Sequence, residues 1–230
     1  MHFEIPRVPL HGFKDFAKHY LMIVFSILTA LGLEAWIEHV HHAHAAATAS
    51  AQIEAELSTN LANIQRVRDS DAKRLTVLKQ LDDYLVKAVR IGADAATIKQ
   101  RVDAQTGGDF YLGLAFPTLR HEAWDVAVAN QSAGWIDTSL LRRYDTIYAY
   151  QSNFERSVSF NTSINLEGSK VNDIDADLQA GVVQPREILH TAFDMTSSMG
   201  DTVIALDALA GAYRRELPQL APASAAMMSH

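Results

Sequence analysis

The chain has 230 residues, of which 48% are hydrophobic, and a formal net charge of −7. This length suits one domain or one domain with an anchor, and this apolar fraction supports a packed core and excludes a disordered chain. The acidic balance, without a long run of Lys and Arg, argues against nucleic acid as a partner. The absence of cysteine excludes disulfides, thiolate metal sites and thiol nucleophiles.

An apolar stretch near the N-terminus predicts a transmembrane helix at 20–37. Its roughly 18 positions reach about 27 Å, close to the roughly 30 Å hydrocarbon core of a bilayer. Tyr20 and Trp36 stand at its two ends as membrane-interface aromatic residues. Glu34 lies near the outer end, where its side chain is expected to extend to the interface.

The charges around this stretch predict its orientation. Arg7, Lys14 and Lys18 precede the span, and Arg66 is the next basic residue after it. The positive-inside rule therefore places residues 1–19 in the cytoplasm and the rest of the chain outside. The expected location is a bacterial inner membrane with a periplasmic domain.

The apolar stretch has two other interpretations. A cleavable signal peptide would be cut near the Ala-x-Ala triplet at 47–49, but Glu34, Trp36, Glu38 and several histidines precede that triplet. A buried core helix of a soluble protein does not explain the charge asymmetry and the terminal aromatic residues. The membrane span is therefore preferred.

A long helix is predicted to leave the membrane, because no Pro or Gly occurs from Glu34 to Ile91. Two apolar stripes at helical spacing are separated by the polar residues 68–74, which predicts a bend or a change of packing partner near residue 70. The first stripe is Ile53, Leu57, Leu61 and Ile64, and the second is Leu75, Leu78, Leu81, Leu85 and Val89.

The remaining elements of the predicted domain, 38–217, are also helices. Asp94 is a predicted N-cap for a short helix at 95–105, followed by a loop at 106–109. Further helices are predicted to begin at Pro117-Thr118 and after the N-cap Asp137.

The C-terminal third is predicted less completely. Residues 166–183 are left unassigned, Pro185 begins the last helix, and 218–230 forms a flexible tail. The buried stripe of that last helix is Ile188, Leu189, Ala192, Met195, Met199, Val203, Leu206 and Tyr213. No segment alternates with period two, so the predicted fold class is all-α: one transmembrane helix continuing into a long helix, plus an extramembrane helical bundle.

Residues 21–38, an aliphatic stretch ending in Glu-Ala-Trp-Ile-Glu, resemble the start of a widespread family of uncharacterised bacterial single-pass membrane proteins. In that family a similar stretch ends in a polar residue, a Trp and an acid before a long charged helix. Residues 130–137 and 140–148 are similar to its Ser-Gly element and Tyr-bearing helix. The resemblance implies the topology and an all-helical exterior, and it carries no activity.

Histidines follow the predicted span closely. His39 and His42, and likewise His41 and His44, are three residues apart on one helix, so each pair shares a face and is suited to Zn²⁺ or Cu²⁺, with Glu38 beside them. The alternative is that these amphipathic side chains suit a headgroup interface without a metal.

A di-iron site is a sharper form of the metal hypothesis. Helix bundles of that kind take a Glu-x-x-His motif from each of two helices and further carboxylates from others. The motifs here are 38–41 and 187–190, and Glu122 or Glu155 would have to converge on them.

Other chemistries have little support in the sequence, which lacks the glycine and histidine motifs of hydrolases, P-loops and zinc proteases. The acidic run 173–177 resembles the opening of a calcium loop, but Leu178 occupies the glycine position, so a solvated turn is expected. Aromatic residues recur at helical spacing and are expected in the core. They are Trp124, Trp135, Tyr144, Tyr148 and Tyr150.

The favoured function is therefore a non-catalytic one. The chain is expected to be an accessory or scaffolding subunit that associates in the bilayer with other membrane subunits or with itself, without a cofactor. Ser26 and Ala30, four residues apart, form a small-xxx-small pattern suited to helix contact in lipid. Glu34 also suggests proton or ion handling, which a single helix provides only within an oligomer. The alternative function is a metal-binding or metal-sensing membrane protein.

Overall fold

The computed structural model describes residues 12–107, 113–165, 168–182 and 184–220. Within these ranges all regular structure is helical, which confirms the predicted all-α class. The helices are α1 (Phe13–Ile91), α2 (Ala95–Thr106), α3 (Glu122–Ala129), α4 (Thr138–Asn165), α5 (Gly168–Ala180) and α6 (Pro185–Glu216), with single 3₁₀ turns at Ser132–Trp135 and Pro218–Leu220.

The first helix, α1, runs without a break for 79 residues. It starts before the predicted span, at Phe13, and ends where the sequence predicts, at Ile91. Gly92 takes a left-handed φ of 69°, and the Ala93 N–H donates to the Ala88 carbonyl at 2.9 Å. Glycine is suited to this helix-ending conformation because it has no Cβ.

The last helix, α6, lies antiparallel to α1 and shares the most extensive helix interface of the described chain with it. Arg68 Nε on α1 donates to Asp207 Oδ1 on α6 at 2.8 Å. Nearer the N-terminus of α1, Glu54 Oε1 accepts from Gln219 Nε2, just beyond α6, at 3.3 Å. The start of α6 at Pro185 therefore lies beside the far end of α1.

The two apolar stripes of α1 enter two separate hydrophobic clusters. The first stripe packs with α4 and the C-terminal half of α6, and the second with α2, α5 and the N-terminal half of α6. The predicted change of packing partner near residue 70 is confirmed, and the helix continues through that point. Partners of the first stripe include Tyr144, Ile147, Leu206 and Tyr213; those of the second include Ile98, Ile174, Leu178, Ile188 and Met199.

A non-helical segment descends along α1 between α2 and α3. Arg74 Nη1 donates to the Gly113 carbonyl at 2.5 Å, and Asn63 Nδ2 donates to the Thr118 carbonyl at 3.3 Å. Asn60 then binds Arg120 twice, donating to its carbonyl at 2.7 Å and accepting from its N–H at 3.0 Å. As the segment advances, its partners on α1 lie progressively nearer the N-terminus of that helix.

The prediction of a helix beginning at Pro117-Thr118 is wrong, because the helix begins at Glu122. The physical reason is that the side chains of Asn60 and Asn63 already bind the backbone groups of 118–120 that a helix would use.

The descent ends in a corner that we call the tip, residues 126–138. Gln131 takes a left-handed φ of 64° ahead of the 3₁₀ turn Ser132–Trp135. The indole of Trp135 stacks on His42, with ring centroids 3.5 Å apart. The predicted N-cap Asp137 is confirmed, since its Oδ1 accepts from Ser139 N at 2.9 Å and starts α4 back along the domain.

The other local predictions have mixed outcomes. Asp94 caps α2, with Oδ1 accepting from Thr97 N at 2.7 Å, and Pro185 opens α6. The unassigned region contains α5, so the expected solvated turn at 173–177 is wrong. Those residues are helical because Ile174 and Leu178, four apart, pack into the second cluster.

Three predicted segments fall partly outside the described residues. Residues 1–11 of the N-terminal segment, 108–112 of the loop after α2 and 221–230 of the tail lie there. Within the predicted tail, 218–220 forms a 3₁₀ turn, and Leu217 immediately before it is buried in the first cluster.

The N-terminal part of α1 stands outside both clusters. A window of 18 residues there has a mean hydropathy of 1.9 and no buried residue. In the described part of the chain, α1 is the one helix that is long and apolar enough to cross a membrane.

We expect Asn60→Ala to lower the free energy of unfolding by about 2 kcal/mol or more, since it removes two hydrogen bonds from a fully buried side chain and leaves Arg120 backbone groups without partners. Denaturant unfolding in detergent measures this change. Asn63→Ala is the matched control, because Asn63 is only partly buried and makes one longer bond to the descending segment, besides accepting from the exposed Arg66 on its own helix. Equal effects of the two substitutions would contradict a special role for the paired bonds between Asn60 and the Arg120 backbone.

Candidate functional site

The residues predicted for membrane interaction all lie on the exposed part of α1. Tyr20 and Trp36 are 60% and 63% exposed, and Tyr20 stacks on Phe16 at 6.4 Å. Ser26 is also exposed, and its hydroxyl donates to the Met22 carbonyl at 2.8 Å, so the helix itself satisfies this polar group. Ala30 lies four residues further along the same helix.

A groove of about 550 Å³ follows α1 from Ala30 to His42. Glu34, Glu38 and His41 also line it, so the structure brings several of the predicted site residues to one face. This face of α1 is thus a continuous strip where the helix approaches the domain, and it combines Ala30 and the apolar Leu33 and Ile37 with the glutamates and histidines.

The four histidines have different environments. His39, His41 and His44 are exposed, whereas His42 is partly buried beneath Trp135. Glu38 Oε1 lies 3.9 Å from His42 Nε2. Among the described residues no group of three or more His, Asp or Glu side chains is placed to hold a metal ion. The zinc or copper site stays a prediction.

The di-iron hypothesis is wrong on geometric grounds. His190 is in the first turns of α6, which packs against Leu85 near the far end of α1. His41 lies 44 residues before Leu85 on the same helix, a separation of about 66 Å at 1.5 Å per residue. The motifs 38–41 and 187–190 therefore cannot share one metal centre.

The expected aromatic core is confirmed in part. Tyr144 and Tyr148 are buried, and Trp124 stacks on Tyr148 with centroids 5.1 Å apart. Tyr150 and Trp135 are 44% and 53% exposed, so their placement in the core is wrong. Tyr150 lies on the outer side of α4, and Trp135 lies at the tip.

Two acidic side chains of α1 organise this half of the domain, and sequence reasoning missed them. Tyr144 Oη donates to Glu54 Oε1 at 3.0 Å, and Tyr148 Oη donates to Glu56 Oε1 at 2.6 Å. Glu56 Oε2 also accepts from Ala123 N at 2.9 Å, so α1 supplies the cap for the first turn of α3. The i,i+4 spacing of the two tyrosines was the one signal available.

These contacts keep the tyrosines protonated. Burial, and then the hydrogen bond to a glutamate, raises the pKa of both Tyr144 and Tyr148. Gln151 Nε2 donates to the hydroxyl of the buried Tyr213 in the same region. The network therefore acts as structural hydrogen bonding between α1, α4 and α6.

A polar cleft of about 390 Å³ lies between α3 and α4, beside this network. His121 Nδ1 is 2.6 Å from Asp125 Oδ2, and this contact raises the pKa of His121. Asp145 and Glu155 also line the cleft, which makes it acidic. Its carboxylates favour a cationic or hydrogen-bond-donating group, and none of the described contacts selects one.

Two carboxylates of α1 are buried without full hydrogen bonding. Asp71 is 1% exposed and Asp82 is 5% exposed. Neither Asp71 oxygen has a partner among the described residues, nor does Asp82 Oδ1. Burial raises the pKa of both groups. The nearby backbone N–H of Ala115, and then the charge of Arg74, oppose this effect at Asp71, and Thr196 opposes it at Asp82.

We expect Asp71→Asn and Asp82→Asn each to stabilise the protein at pH 7 by about 1 to 3 kcal/mol, because a neutral amide of the same shape costs less to bury than a carboxylate with incomplete hydrogen bonding. A raised pKa in the folded state means that folding favours the protonated acid. The penalty is therefore absent below the ordinary aspartate pKa and grows as the pH rises through the raised value. The gain should vanish as the pH falls toward about 4.

Thermal unfolding of the detergent-solubilised chain between pH 4 and 8 measures this dependence. Asp83→Asn is the matched control, because Asp83 is the exposed neighbour of Asp82. Lower stability of Asp71→Asn and Asp82→Asn at pH 7 would show that the charged carboxylates hold the helices together.

Comparison with known protein families, with curated proteins and with solved structures finds no match for this chain. The resemblance of residues 21–38, 130–137 and 140–148 to bacterial single-pass membrane proteins therefore stays a prediction from the sequence. The functional argument below starts from the geometry of α1 and the tip.

Proposed function

We propose that α1 crosses a bacterial inner membrane at 20–37, with the N-terminus in the cytoplasm and the helical domain in the periplasm. In this proposal the chain is a non-catalytic accessory or scaffolding subunit of a larger membrane complex or of a homo-oligomer. The alternative, a metal-binding or metal-sensing protein, uses the histidines that follow the span.

The observation that carries the proposal is apolar exposure around the whole circumference of the helix. Leu21, Met22 and Ile23 are 53%, 61% and 55% exposed, and because successive residues turn by about 100°, these side chains point to three different sides of the helix. Leu31, on the remaining side, is 56% exposed, so no face is covered. An apolar surface of this extent is unfavourable in water, and lipid removes the penalty. The hydroxyls of Ser26 and Thr29 bond to their own helix, as a hydrocarbon environment requires.

The continuity of α1 supports a scaffolding role. The same helix that forms the apolar span provides both hydrophobic stripes of the domain, with no flexible linker between them. From Ile37 to Ile91 it extends for about 80 Å at 1.5 Å per residue. Such a rod holds the far end of the domain at a defined height above the membrane.

The small residues of the span support association through the bilayer. Side chains as small as those of Ser26 and Ala30 let another helix approach closely. The groove begins at Ala30 and runs to His42, so a partner helix that packs on this face would continue along it. We assign the partner's contact to this strip.

The absence of cysteine gives a direct test of topology, because single-cysteine variants need no other substitution. We expect Ser70→Cys, on the exposed face of α1 in the domain, to react with a membrane-impermeant maleimide in spheroplasts. Gly12→Cys, before the span, should react only after lysis. The converse pattern would overturn the orientation, and release of the wild-type chain by alkaline carbonate would overturn the span.

We expect the double variant Ser26→Leu, Ala30→Leu to lose co-migrating protein on gentle detergent extraction and native mass analysis, because larger side chains prevent close helix contact. Leu28→Ala is the control, since residue 28 lies on the opposite side of the helix. Metal is quantified in the same wild-type sample. A wild-type chain that migrates alone as a monomer would contradict the scaffold, and stoichiometric metal would favour the histidine alternative.

A further inference from the structure

The tip of the domain exposes apolar side chains. Trp135 is 53% exposed, and Val126 and Val128 are 54% and 52% exposed. They belong to the end of α3 and the 3₁₀ turn that packs on it. Val126 and Val128 are two residues apart and point to different sides of α3, so they do not form one patch. The exposed indole of Trp135 is the feature of this corner that calls for an amphipathic surface in contact with it.

The height of the tip above the proposed span follows from the stack of Trp135 on His42. His42 is five residues beyond Ile37, which corresponds to about 7.5 Å along the helix. A bilayer of about 40–45 Å with a hydrocarbon core of about 30 Å has headgroup layers of about 5–8 Å on each side. Trp135 therefore lies at the outer part of the headgroup layer, within reach of it.

The tip is also the lowest part of the domain. The descending segment reaches Glu56 at Ala123 and His42 at Trp135, after which α4 turns back. The segment after α6 also approaches the span, and its Gln219 contacts Glu54. Glu54 is 12 residues beyond His42 on α1, or about 18 Å farther from the span. Among the described residues outside α1, the tip comes nearest to the membrane.

The chemistry of the tip fits the headgroup layer. An indole ring has an apolar body and an N–H donor, which is why tryptophan is enriched at membrane interfaces. Exposed Asn130, Gln131 and Asp137 surround it with polar groups that lipid headgroups and their water can bond.

We infer that the tip rests in the headgroup layer of the bilayer that α1 crosses, with Trp135 as a second interfacial anchor in addition to Trp36. This inference rests on the proposed span. It adds a second contact between domain and lipid, which fixes the tilt and rotation of the domain that a single helix leaves free. The occupant of the exposed corner is lipid, not a second protein.

The three tryptophans of the chain lie at different expected distances from the bilayer, so their fluorescence tests the inference. Trp36 lies at the end of the span, Trp135 at the tip, and Trp124 beside Tyr148, which bonds to Glu56 about 21 Å above His42. Three variants each keep one tryptophan and replace the other two by Phe. The full chain is reconstituted in phosphatidylcholine vesicles, and fluorescence is quenched by lipids brominated near the headgroup or by aqueous acrylamide.

We expect brominated lipid to quench Trp135 to an extent comparable with Trp36 and several times more than Trp124. If brominated lipid quenches Trp36 but only acrylamide quenches Trp135, the inference is overturned and the proposed span is left intact. Lack of lipid quenching at both would overturn the span itself. Protection of Trp135 from both quenchers would place a protein on the tip and also overturn the inference.

A spin label provides a second measurement that leaves the tryptophans unchanged. Gly134 lies in the tip, and a Cβ added there meets no atom within 4 Å, so Gly134→Cys fits the fold. Its label should be more accessible to lipid-soluble oxygen than to an aqueous nickel complex, and a label at Ser70→Cys should show the reverse. Equal aqueous exposure at the two sites would overturn the inference.

Discussion

The backbone of α1 is hydrogen-bonded without interruption from Phe13 to Ile91, and this continuity determines the rest of the architecture. Because one rigid helix contributes both the exposed apolar segment and the two stripes of the domain core, the domain has a fixed height along it. The other described helices pack against whichever apolar stripe of α1 lies beside them. The antiparallel α6 spans both clusters and unites them into one domain.

Polar side chains of α1 then specify the path of the chain outside the helices. Asn60 holds the backbone of Arg120, and Glu56 caps α3, so the descending segment is guided toward the start of the domain. A buried amide with both groups bonded contributes to stability and specificity together, since its loss leaves backbone partners unsatisfied. These contacts carry Trp135 to His42 and thereby form the tip.

The same helix carries the less favourable features of the domain. Asp71 and Asp82 are buried with incomplete hydrogen bonding, on the side of α1 that faces the rest of the bundle. The domain therefore combines fully hydrogen-bonded polar contacts on the tip side, at Glu56 and Asn60, with incompletely bonded carboxylates farther along α1. With the proposed span and the proposed lipid contact of the tip, the rigid helix suits a protein whose task is to hold a surface at a set position above a membrane.

The sequence by itself determined the elements that depend on local chemistry. The uninterrupted run to Ile91, the caps Asp94 and Asp137 and the stripe of α6 follow from propensity, capping and periodicity, which involve residues close together in the chain. Only the tertiary structure decided the rest. Asn60 prevents a helix at 118–120, the antiparallel course of α6 separates His190 from His41, and Trp135 leaves the core to stack on His42, because each outcome depends on partners distant in sequence.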